Sequence, residues 1–438
     1  MPLGISNNCR NIAPSATLAM DAKAKAMRAA GVDVVGFAAG EPDFDTPEVV
    51  REAMKDALDR GMTRYTAAAG TPEVRDAIAK RLEMDHGLHY EQNQIIVTNG
   101  AKHALYTAFQ SLCSEEDEVI IPTPCWVSYP EMVRMAGGRS VLVECPEENG
   151  FLPSMEDIEA VITERTKAFV LTNPSNPNGN IWDEERLRAL VQLAVDKQFY
   201  IIADEIYEKL VYGAAKHVAV ATLSPEAYTH TILIGGVSKS YAMTGLRIGF
   251  AAGPVDVIAG MVNYQSQSTS APNSAAQHAA AVAYTMDQTC VEEMRQQFEK
   301  RRNYIVERIN AMPGYIGGSY DMAGIKWIGS GPMNYKKGLP RASVTMILND
   351  PDTKLPVCIA DGTEVSTMRT GASGGYLAGG APGSDGNALL MMQKVGAGLT
   401  AMDAIPTFPM GLVARDDDTR GQIASTYTWK TGGIVVNQ

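Results

Sequence analysis

A lysine in a turn of small residues is the first candidate for chemistry in this sequence. Lys239 lies in the segment 235–250, GGVSKSYAMTGLRIGF, directly after a short apolar run, and Arg247 follows eight positions later. A lysine amine attacks carbonyl carbons only when it is unprotonated, and a desolvated pocket that holds other cations lowers its pKa. Ser-Lys-Ser by itself is more typical of an exposed loop, so the argument depends on the segments that accompany it.

Four upstream segments hold polar or aromatic residues directly after short apolar runs. They are 99–102, 126–130, 173–179 and 203–207. Taken singly, each has an ordinary explanation: Asp204 is typical of a helix N-cap, Trp126 of a core aromatic, and Asn176 of a turn. Five such segments in one chain are more specific than any one of them, because one bound ligand would account for all five.

Short apolar runs alternate with helical stretches from residue 94 onward. The predicted strands are 94–98, 118–122, 140–144, 167–172, 199–203, 231–234 and 248–252. This alternation predicts a mostly parallel sheet with helices on both faces. Such sheets bind ligands beyond the carboxyl ends of their strands, which is where Gly100, Asp204 and Lys239 fall in the sequence.

Helix start signals organise the residues before the sheet. Thr46 and Thr71 are each followed by Pro-Glu, so each is predicted to be an N-cap with proline at the first helical position. We expect the first of these helices to stop at Gly61. The other predicted elements are a helix at 15–30, a strand at 32–38, and helices at 253–262, 273–287 and 289–311.

Composition excludes several classes of function. The 438 residues are 45% hydrophobic and 20% charged, as in ordinary globular proteins, and the net charge of −12 disfavours a nucleic-acid or anionic-membrane partner. No apolar run is long enough to span a membrane, and residues 1–14 have no signal-peptide pattern. The six cysteines include no CxxC pair, so neither a disulfide framework nor a metal site is expected, and a cytoplasmic location is predicted.

The five segments, in their order and approximate spacing, resemble the signature segments of aspartate-aminotransferase-like enzymes, the fold-type I pyridoxal 5′-phosphate (PLP) family. The resemblance covers about residues 10–313. It implies an α/β fold, that of a fold-type I PLP-dependent transferase, with PLP as the cofactor. It also implies a homodimer that moves an amino group between an amino acid and a 2-oxo acid.

The resemblance further implies a role for each matching residue. Lys239 would bond to the cofactor's aldehyde, and Asp204 would keep the pyridine nitrogen protonated. Trp126 would stack on the ring, while Tyr207 and Asn176 would hydrogen-bond the ring hydroxyl. The phosphate would be bound by the helix start and by side chains, namely Gly100, Ala101, Lys102, Ser238, Arg247 and Tyr65 of the partner subunit.

The same resemblance bears on the substrate. Displaced by the substrate amine, Lys239 would act as the general base on the α-proton. In related aspartate enzymes a lysine in the position of Lys102 meets the distal carboxylate, which points to aspartate or glutamate. A solvated lysine at a helix start is the alternative. The expected substrate-binding residues are Gly40, Lys102, Asn176 and Arg369.

The C-terminal part departs from this family. The Arg-x-Ser-like segment that clamps the substrate α-carboxylate has no match after residue 313. Residues 324–378 instead resemble the ornithine cyclodeaminase/μ-crystallin family, through GIKWIG at 324–329, GLPRAS at 338–343, LNDP at 348–351, ADGT at 360–363 and MRTGA at 368–372. In that family the residues matching Lys326 and Arg369 bind the substrate carboxylate and the nicotinamide side of NAD. Arg369 is also a candidate replacement for the missing carboxylate clamp.

The sequence predicts that the chain has three parts, and it leaves two alternative functions open. The predicted parts are an N-terminal arm with part of a small domain at 1–45, a PLP-binding large domain at 46–313, and an atypical α+β region at 314–438. One alternative is an NAD-dependent, ornithine cyclodeaminase-like activity of the C-terminal region. It is disfavoured because only 22 residues follow Asp416, too few for a Rossmann domain. The other is a PLP-binding scaffold without turnover.

Overall fold

The fold was obtained as a computed structural model. It describes residues 4–6, 10, 12, 14–34, 40–316, 322–330, 342–349, 356–361, 411–412 and 422–423. The chain divides into two compact units, Met1–Glu299 and Lys300–Gln438. The domain limits at 45 and 313 remain predictions from the sequence.

A seven-stranded sheet forms the centre of the first unit. Its strands are β1 (Ile95–Thr98), β2 (Glu118–Thr123), β3 (Arg139–Glu144), β4 (Thr166–Thr172), β5 (Tyr200–Asp204), β6 (Thr231–Gly236) and β7 (Gly249–Ala252). The spatial order is β1-β7-β6-β5-β4-β2-β3. Strands β2 to β6 pair in parallel, whereas β7 is antiparallel to both β1 and β6. The predicted mostly parallel sheet is therefore confirmed.

Helices cover both faces of this sheet. In chain order, the helices of the described residues are α1 (Ala16–Ala29), α2 (Glu48–Asp59), α3 (Pro72–His86), α4 (Ala101–Leu112), α5 (Ser128–Met135), α6 (Met155–Ala160), α7 (Glu184–Lys197), α8 (Pro225–His230), α9 (Val255–Ser268), α10 (Ser274–Thr285) and α11 (Thr289–Arg308). Helices α4, α5 and α9 pack on one face, and α6, α7 and α8 pack on the other. Helices α3 and α10 cover β1, β6 and β7.

Successive side chains of the central strands enter opposite layers of the core. In β4, Phe169 and Leu171 pack with α7, while Ala168 and Val170 pack with α4. Because both faces of a parallel sheet are buried, its strands are apolar at nearly every position. That property makes the strands easy to locate in the sequence, and it fixes the edge at which their carboxyl ends meet.

One of the two predicted helix starts is confirmed and the other is wrong. The hydroxyl of Thr71 accepts a hydrogen bond from the backbone N–H of Val74, and Pro72 is the first residue of α3. Helix α2 begins one residue later than predicted, and its N-cap is Pro47. The Thr46 hydroxyl instead donates a 2.7 Å hydrogen bond to the carbonyl oxygen of Ala242.

In the second unit the described residues after Arg308 form strands. Strands β8 (Ile309–Ile316), β9 (Met322–Ser330), β10 (Ala342–Asn349) and β11 (Pro356–Asp361) form an antiparallel sheet of order β11-β10-β9-β8. The short strands Gly411–Leu412 and Gln422–Ile423 pair with each other. The predicted helix at 289–311 is wrong at its end, because α11 stops at Arg308 and the following residues pair along β9.

The predicted strand at 32–38 is also not borne out where it is described. Residues 32–34 have no strand structure, and residues 35–38 lie outside the described residues. Among the residues that the structure describes, no helix is both long and apolar enough to cross a membrane.

Candidate active site

Lys239 lies in the turn that follows β6, and its side chain is half-buried. Its Nζ donates a hydrogen bond to the carbonyl oxygen of Gly40 and lies 5.7 Å from the centre of the Tyr207 ring. Burial lowers the pKa of Lys239, and Arg247 lowers it further against the opposing charge of Glu41. The lowered pKa increases the fraction of unprotonated amine near neutral pH, which a nucleophile or general base requires.

Asp204 ends the neighbouring strand β5 and is only 4% exposed. Its Oδ2 accepts a 2.7 Å hydrogen bond from the phenol of Tyr129, and its Oδ1 accepts one of 3.4 Å from the backbone N–H of Ile206. Burial raises the pKa of Asp204 to about 6, although both hydrogen bonds act to lower it. A positively charged N–H beside this carboxylate would offset the free energy of burying its charge.

Tyr207 and Asn176 form a polar pair next to this acid. Asn176 hydrogen-bonds the phenol of Tyr207. Burial raises the pKa of Tyr207 to about 12, and the nearby charge of Asp204 contributes to the shift. The phenol therefore keeps its proton at neutral pH and can donate it in a hydrogen bond to a ligand oxygen.

The loop between β1 and α4 forms a backbone cradle. Gly100 has φ +84° and precedes the first turn of α4, which no side chain caps. A Cβ on Gly100 would lie 2.3 Å from Nη2 of Arg247, and a Cβ on Gly249 would lie 2.2 Å from the backbone nitrogen of Ala101. Both positions need glycine, because the backbone of β7 and the guanidinium approach the helix start so closely. An uncapped helix start beside an arginine suits a phosphate group.

Arg247 is held at this cradle by two backbone carbonyls. Its Nη1 donates to the carbonyl oxygen of Thr244 at 2.8 Å, and its Nη2 donates to that of Asn99 at 3.3 Å. The residue itself adopts a left-handed conformation with φ +56°. Ser238, also predicted to bind the phosphate, lies in the turn after β6 and is 8% exposed.

Trp126 and Lys102 lie together in the structure. The ammonium of Lys102 is 4.7 Å from the centre of the half-buried Trp126 ring, within cation–π range. Partial burial lowers the pKa of Lys102, and the charge of Arg247 adds to this effect. Trp126 also packs edge-to-face on Tyr129, with ring centres 5.3 Å apart, which connects it to the partner of Asp204.

One predicted site residue, Tyr65, does not join this group, and another is not described. Tyr65 lies between α2 and α3 and is 97% exposed, as a residue that acts on a neighbouring subunit would be. Arg369 lies outside the described residues. Lys326 lies on β9 of the second unit.

Comparison with known proteins decides the family. Residues 32–346 match the family model described as aminotransferase class I and II. The chain belongs to the class I and II aminotransferases. The match reaches residue 346 and so overlaps the first part of the segment that resembles ornithine cyclodeaminases, a resemblance that stays a prediction for residues 324–378.

Several characterised proteins are similar to this aminotransferase. The aspartate aminotransferase of Geobacillus stearothermophilus is 50% identical over 311 residues, which cover 71% of this chain and 79% of the relative. The aspartate/prephenate aminotransferase of Thermus thermophilus is 45% identical over 312 residues, 70% of this chain and 80% of the relative. A solved structure of aspartate aminotransferase from Thermus thermophilus with maleate superposes with a TM-score of 0.68 at 42% identity, covering 74% of this chain and 85% of that one.

The predictions of fold class, cofactor and reaction type are confirmed by these findings. The protein is a fold-type I, PLP-dependent aminotransferase. Its own residues fit the cofactor chemically. A buried acid with a raised pKa suits a pyridinium nitrogen, an uncapped helix start that a Cβ would obstruct suits a phosphate, and a half-buried lysine with a lowered pKa suits an aldehyde.

Two residues of this aminotransferase's site were not predicted from the sequence. Tyr129 and Thr172 lie behind Asp204, where the Tyr129 phenol also lies 2.9 Å from the hydroxyl of Thr172. A signal for Tyr129 existed, because it stands three residues after Trp126 in a short helical segment, a spacing that places both rings on one side of the turn. Thr172 carried no signal beyond its place at the end of a predicted strand.

Proposed function

We propose that this aminotransferase takes its amino group from a dicarboxylic amino acid, aspartate or glutamate, and passes it to a 2-oxo acid. The position of Lys102 supports this substrate class. Its ammonium lies 4.7 Å from the ring of Trp126, the residue assigned to stack on the cofactor. A cation at that place would attract a distal carboxylate and leave an apolar side chain without a partner. The relatives named as aspartate aminotransferases agree with this assignment.

The cofactor-binding roles are part of the same proposal. When bound, PLP supplies a ring that withdraws electrons and stabilises negative charge at the substrate's α-carbon. The carboxylate of Asp204 holds the proton on the ring nitrogen, and the phenol of Tyr207 with the amide of Asn176 hydrogen-bonds the ring hydroxyl. Gly100, Ala101, Lys102, Ser238 and Arg247 bind the phosphate.

Lys239 is the proton carrier of the proposed reaction. Its Nζ takes the proton from the α-carbon of the substrate, and its lowered pKa suits that role near neutral pH. The carbonyl oxygen of Gly40 accepts a hydrogen bond from Nζ and so helps to position the amine. Gly40 and Asn176 would then also adjoin the substrate.

Two further assignments complete the proposal. Arg369 is proposed to bind the substrate's α-carboxylate, since the sequence offers no other match for the family's arginine. Tyr65 is proposed to reach the phosphate of a second subunit, so that the active unit is a homodimer. The exposure of Tyr65 supports this, because a single chain leaves the phenol without contacts to its own site. A cytoplasmic location stays a prediction from the sequence.

An absorbance experiment on the full chain tests the half-reaction. After addition of PLP, we expect the visible band of a lysine-bound cofactor, which L-aspartate should convert to the near-ultraviolet band of the aminated form. The K239R variant keeps a cation at this position. It should show neither the visible band nor its conversion by L-aspartate. A visible band that neither aspartate nor glutamate alters would contradict the proposed donor.

A second experiment isolates the role of Lys102. The K102Q variant should raise the KM for aspartate about tenfold or more and leave the KM for L-alanine nearly unchanged, because alanine has no distal carboxylate. Equal losses for both substrates would show that Lys102 serves the phosphate alone. A parallel R369A variant should raise the KM for both amino acids, since both carry an α-carboxylate.

A further inference from the structure

Two buried glutamines contact the segment that follows Tyr65. Gln265 lies on α9 and Gln277 lies on α10, and both are 0% exposed. Neither has a role in the proposed transfer of the amino group. Burial of a side-chain amide is unfavourable unless the amide is hydrogen-bonded, so the groups that it bonds are held in place with it. For both glutamines, these groups include residues of the segment 66–71.

Gln277 holds both ends of this segment. Its Nε2 donates a 3.1 Å hydrogen bond to the hydroxyl of Thr66 and one of 2.8 Å to the carbonyl oxygen of Pro272, and its Oε1 accepts one of 2.7 Å from the backbone N–H of Thr71. The carbonyl of Pro272 can only accept and the N–H of Thr71 can only donate, so these two groups fix the orientation of the amide. The second N–H of the amide is thereby directed at Thr66, the residue after Tyr65.

Gln265 attaches the middle of the segment to strand β1. Its Nε2 donates to the carbonyl oxygen of Ala68 at 2.6 Å and to that of Val97 at 2.8 Å. The backbone N–H of Val97 donates in turn to the carbonyl oxygen of Ala69 at 2.9 Å. Gly70 packs so closely on the strand that a Cβ there would lie 2.6 Å from Cγ2 of Val97. The segment is therefore fixed against the sheet at three consecutive residues.

The side chain of Tyr65 is 97% exposed, although the backbone on both sides of it is anchored. Before it, the carbonyl oxygen of Met62 accepts a 2.6 Å hydrogen bond from the hydroxyl of Ser274. After it, Gln277 holds Thr66. An exposed side chain on a fixed backbone has less conformational entropy to lose when it binds a ligand, which favours binding. The arrangement therefore suits a tyrosine that acts outside its own chain.

We propose that Gln277 is a positioning residue, which holds Tyr65 in place for the cofactor phosphate of the partner subunit while Gln265 fixes the rest of the segment. This inference rests on the proposed function, in which Tyr65 reaches that phosphate. Gln277 acts through the backbone next to Tyr65 and not by contact with the phosphate. Its removal therefore impairs the partner's site through Tyr65 alone.

A double-mutant cycle on PLP affinity tests this role. The apo form of the full-length protein is titrated with PLP, and the dissociation constant is taken from the visible band of the lysine-bound cofactor. Y65F should weaken PLP binding about tenfold or more, because a hydrogen bond to a charged group is lost. Q277M should weaken it about fivefold or more, yet cause no further loss in the Y65F background, because residues that act as one unit are not additive.

Variants of Thr66 break the same contact from the less buried side. T66V removes the hydroxyl that Gln277 binds and should lose as much PLP affinity as Q277M does, whereas T66S keeps a hydroxyl and should restore the wild-type value. Q94M is the matched control, since Gln94 lies just before the opposite end of β1 and its Oε1 accepts a 3.2 Å hydrogen bond from Tyr228. It should bind PLP like the wild type. Circular dichroism shows which variants are folded, and T66V replaces Q277M if Q277M is not.

Mixed dimers show at which site Gln277 acts. Chains with K239A form no lysine-bound band, so in a dimer of one K239A chain and one Q277M chain, isolated through two different tags, the band reports the site with the Lys239 of the Q277M chain. The Tyr65 of that site comes from the K239A chain, whose Gln277 is intact, so PLP affinity should return to the wild-type value.

The outcomes separate this inference from the role of Tyr65. Weak PLP binding that persists in the mixed dimer, or losses from Q277M and Y65F that simply add, would overturn the positioning role of Gln277 and leave Tyr65 at the phosphate. Wild-type PLP affinity of Y65F would instead overturn the assignment of Tyr65, and the inference with it.

Discussion

The phenol of Tyr129 donates a 2.7 Å hydrogen bond to Oδ2 of Asp204. Both residues are almost fully buried, at 1% and 4% exposure. Burial raises the pKa of Tyr129 as well, so the phenol stays protonated and always acts as the donor. The bond favours the ionised form of Asp204, which is the form that can pair with a protonated ring nitrogen.

Removing this phenol should weaken cofactor binding in a pH-dependent way. In Y129F the pKa of Asp204 should rise above its value of about 6, and at pH 7 a larger fraction of the acid would be protonated and unable to pair. A hydrogen bond to a charged group contributes about 1.5–3 kcal/mol, so we expect PLP affinity to fall about tenfold or more. The deficit should shrink at pH 8.5, where Asp204 is ionised in both proteins. Titration of both proteins with PLP at pH 7 and at pH 8.5 measures this loss of affinity.

The Y228F variant is the matched control for that prediction. Its side chain is half-buried, and its phenol donates to the carbonyl oxygen of His89, away from the cofactor site. We expect unchanged PLP affinity in Y228F at either pH. If Y129F lost the same affinity at pH 7 and 8.5, the phenol would serve packing and not the charge of Asp204.

Asp204 itself should destabilise the protein when PLP is removed. Its pKa is raised from 3.8 to about 6, so the folded protein binds more protons than the unfolded chain between these values. The cost of the buried charge is thus fully present above pH 6 and disappears as the pH falls toward 4. Above pH 6 this buried charge lowers the free energy of unfolding by about 3 kcal/mol. D204N without PLP should therefore have a higher Tm than the wild type at pH 7.5, and the difference should vanish near pH 4.

With PLP bound, the sign should reverse. The ring nitrogen then compensates the charge of Asp204, so the wild type gains more from the cofactor than D204N does. Thermal denaturation of both proteins, with and without PLP, gives the four values needed. A D204N protein that is less stable than the wild type in the absence of PLP at pH 7.5 would disprove the argument from burial.

Local patterns were enough to predict much of the fold. The strands of the sheet are buried on both faces, so their apolar runs stand out, and the predicted limits of β4 and β5 differ from the observed ones by one residue. Thr71 caps its helix as predicted, since its hydroxyl accepts a hydrogen bond from the backbone N–H of Val74. Lys239 and Asp204 lie at strand ends as expected, since parallel strands place their carboxyl ends at one edge of the sheet.

Those local patterns could not predict contacts between residues that are far apart in the sequence. Tyr129 and Asp204 are 75 residues apart, and no local rule pairs them. Thr46 carries a good capping signal, yet it bonds Ala242, which is 196 residues away. Residues 309–311 were predicted as helix because the preceding segment is strongly helical, and their pairing with β9 overrides that local preference.

Gly100 and Gly61 both have a positive φ, and together they allow a controlled test of the cradle. An alanine at either position meets an unfavourable backbone conformation, since φ is +84° and +70°. Only at Gly100 would the added Cβ also collide, 2.3 Å from the guanidinium of Arg247, whereas nothing lies within 4 Å at Gly61. G61A should cost about 1 kcal/mol of unfolding free energy and leave PLP affinity unchanged.

G100A should do more than lower stability. Displacement of Arg247 from the helix start should reduce PLP affinity at least tenfold, with a loss of about 2–3 kcal/mol in unfolding free energy. Denaturant unfolding and PLP titration of the two variants separate backbone strain from damage to the site. Equal PLP affinity in G100A and G61A would mean that the cradle does not bind the phosphate.

Tyr65 allows a test of whether two chains share one site. The variants Y65A and K239A are each expected to be impaired, Y65A through the phosphate and K239A through loss of the reacting amine. If Tyr65 acts across a dimer, a mixed dimer of the two variants contains one site with Lys239 from one chain and Tyr65 from the other. That site is intact, so mixing and exchange of subunits should restore up to half of the activity per mixed dimer. Absence of restored activity, with subunit exchange confirmed by differently tagged chains, would place Tyr65 outside the partner's site.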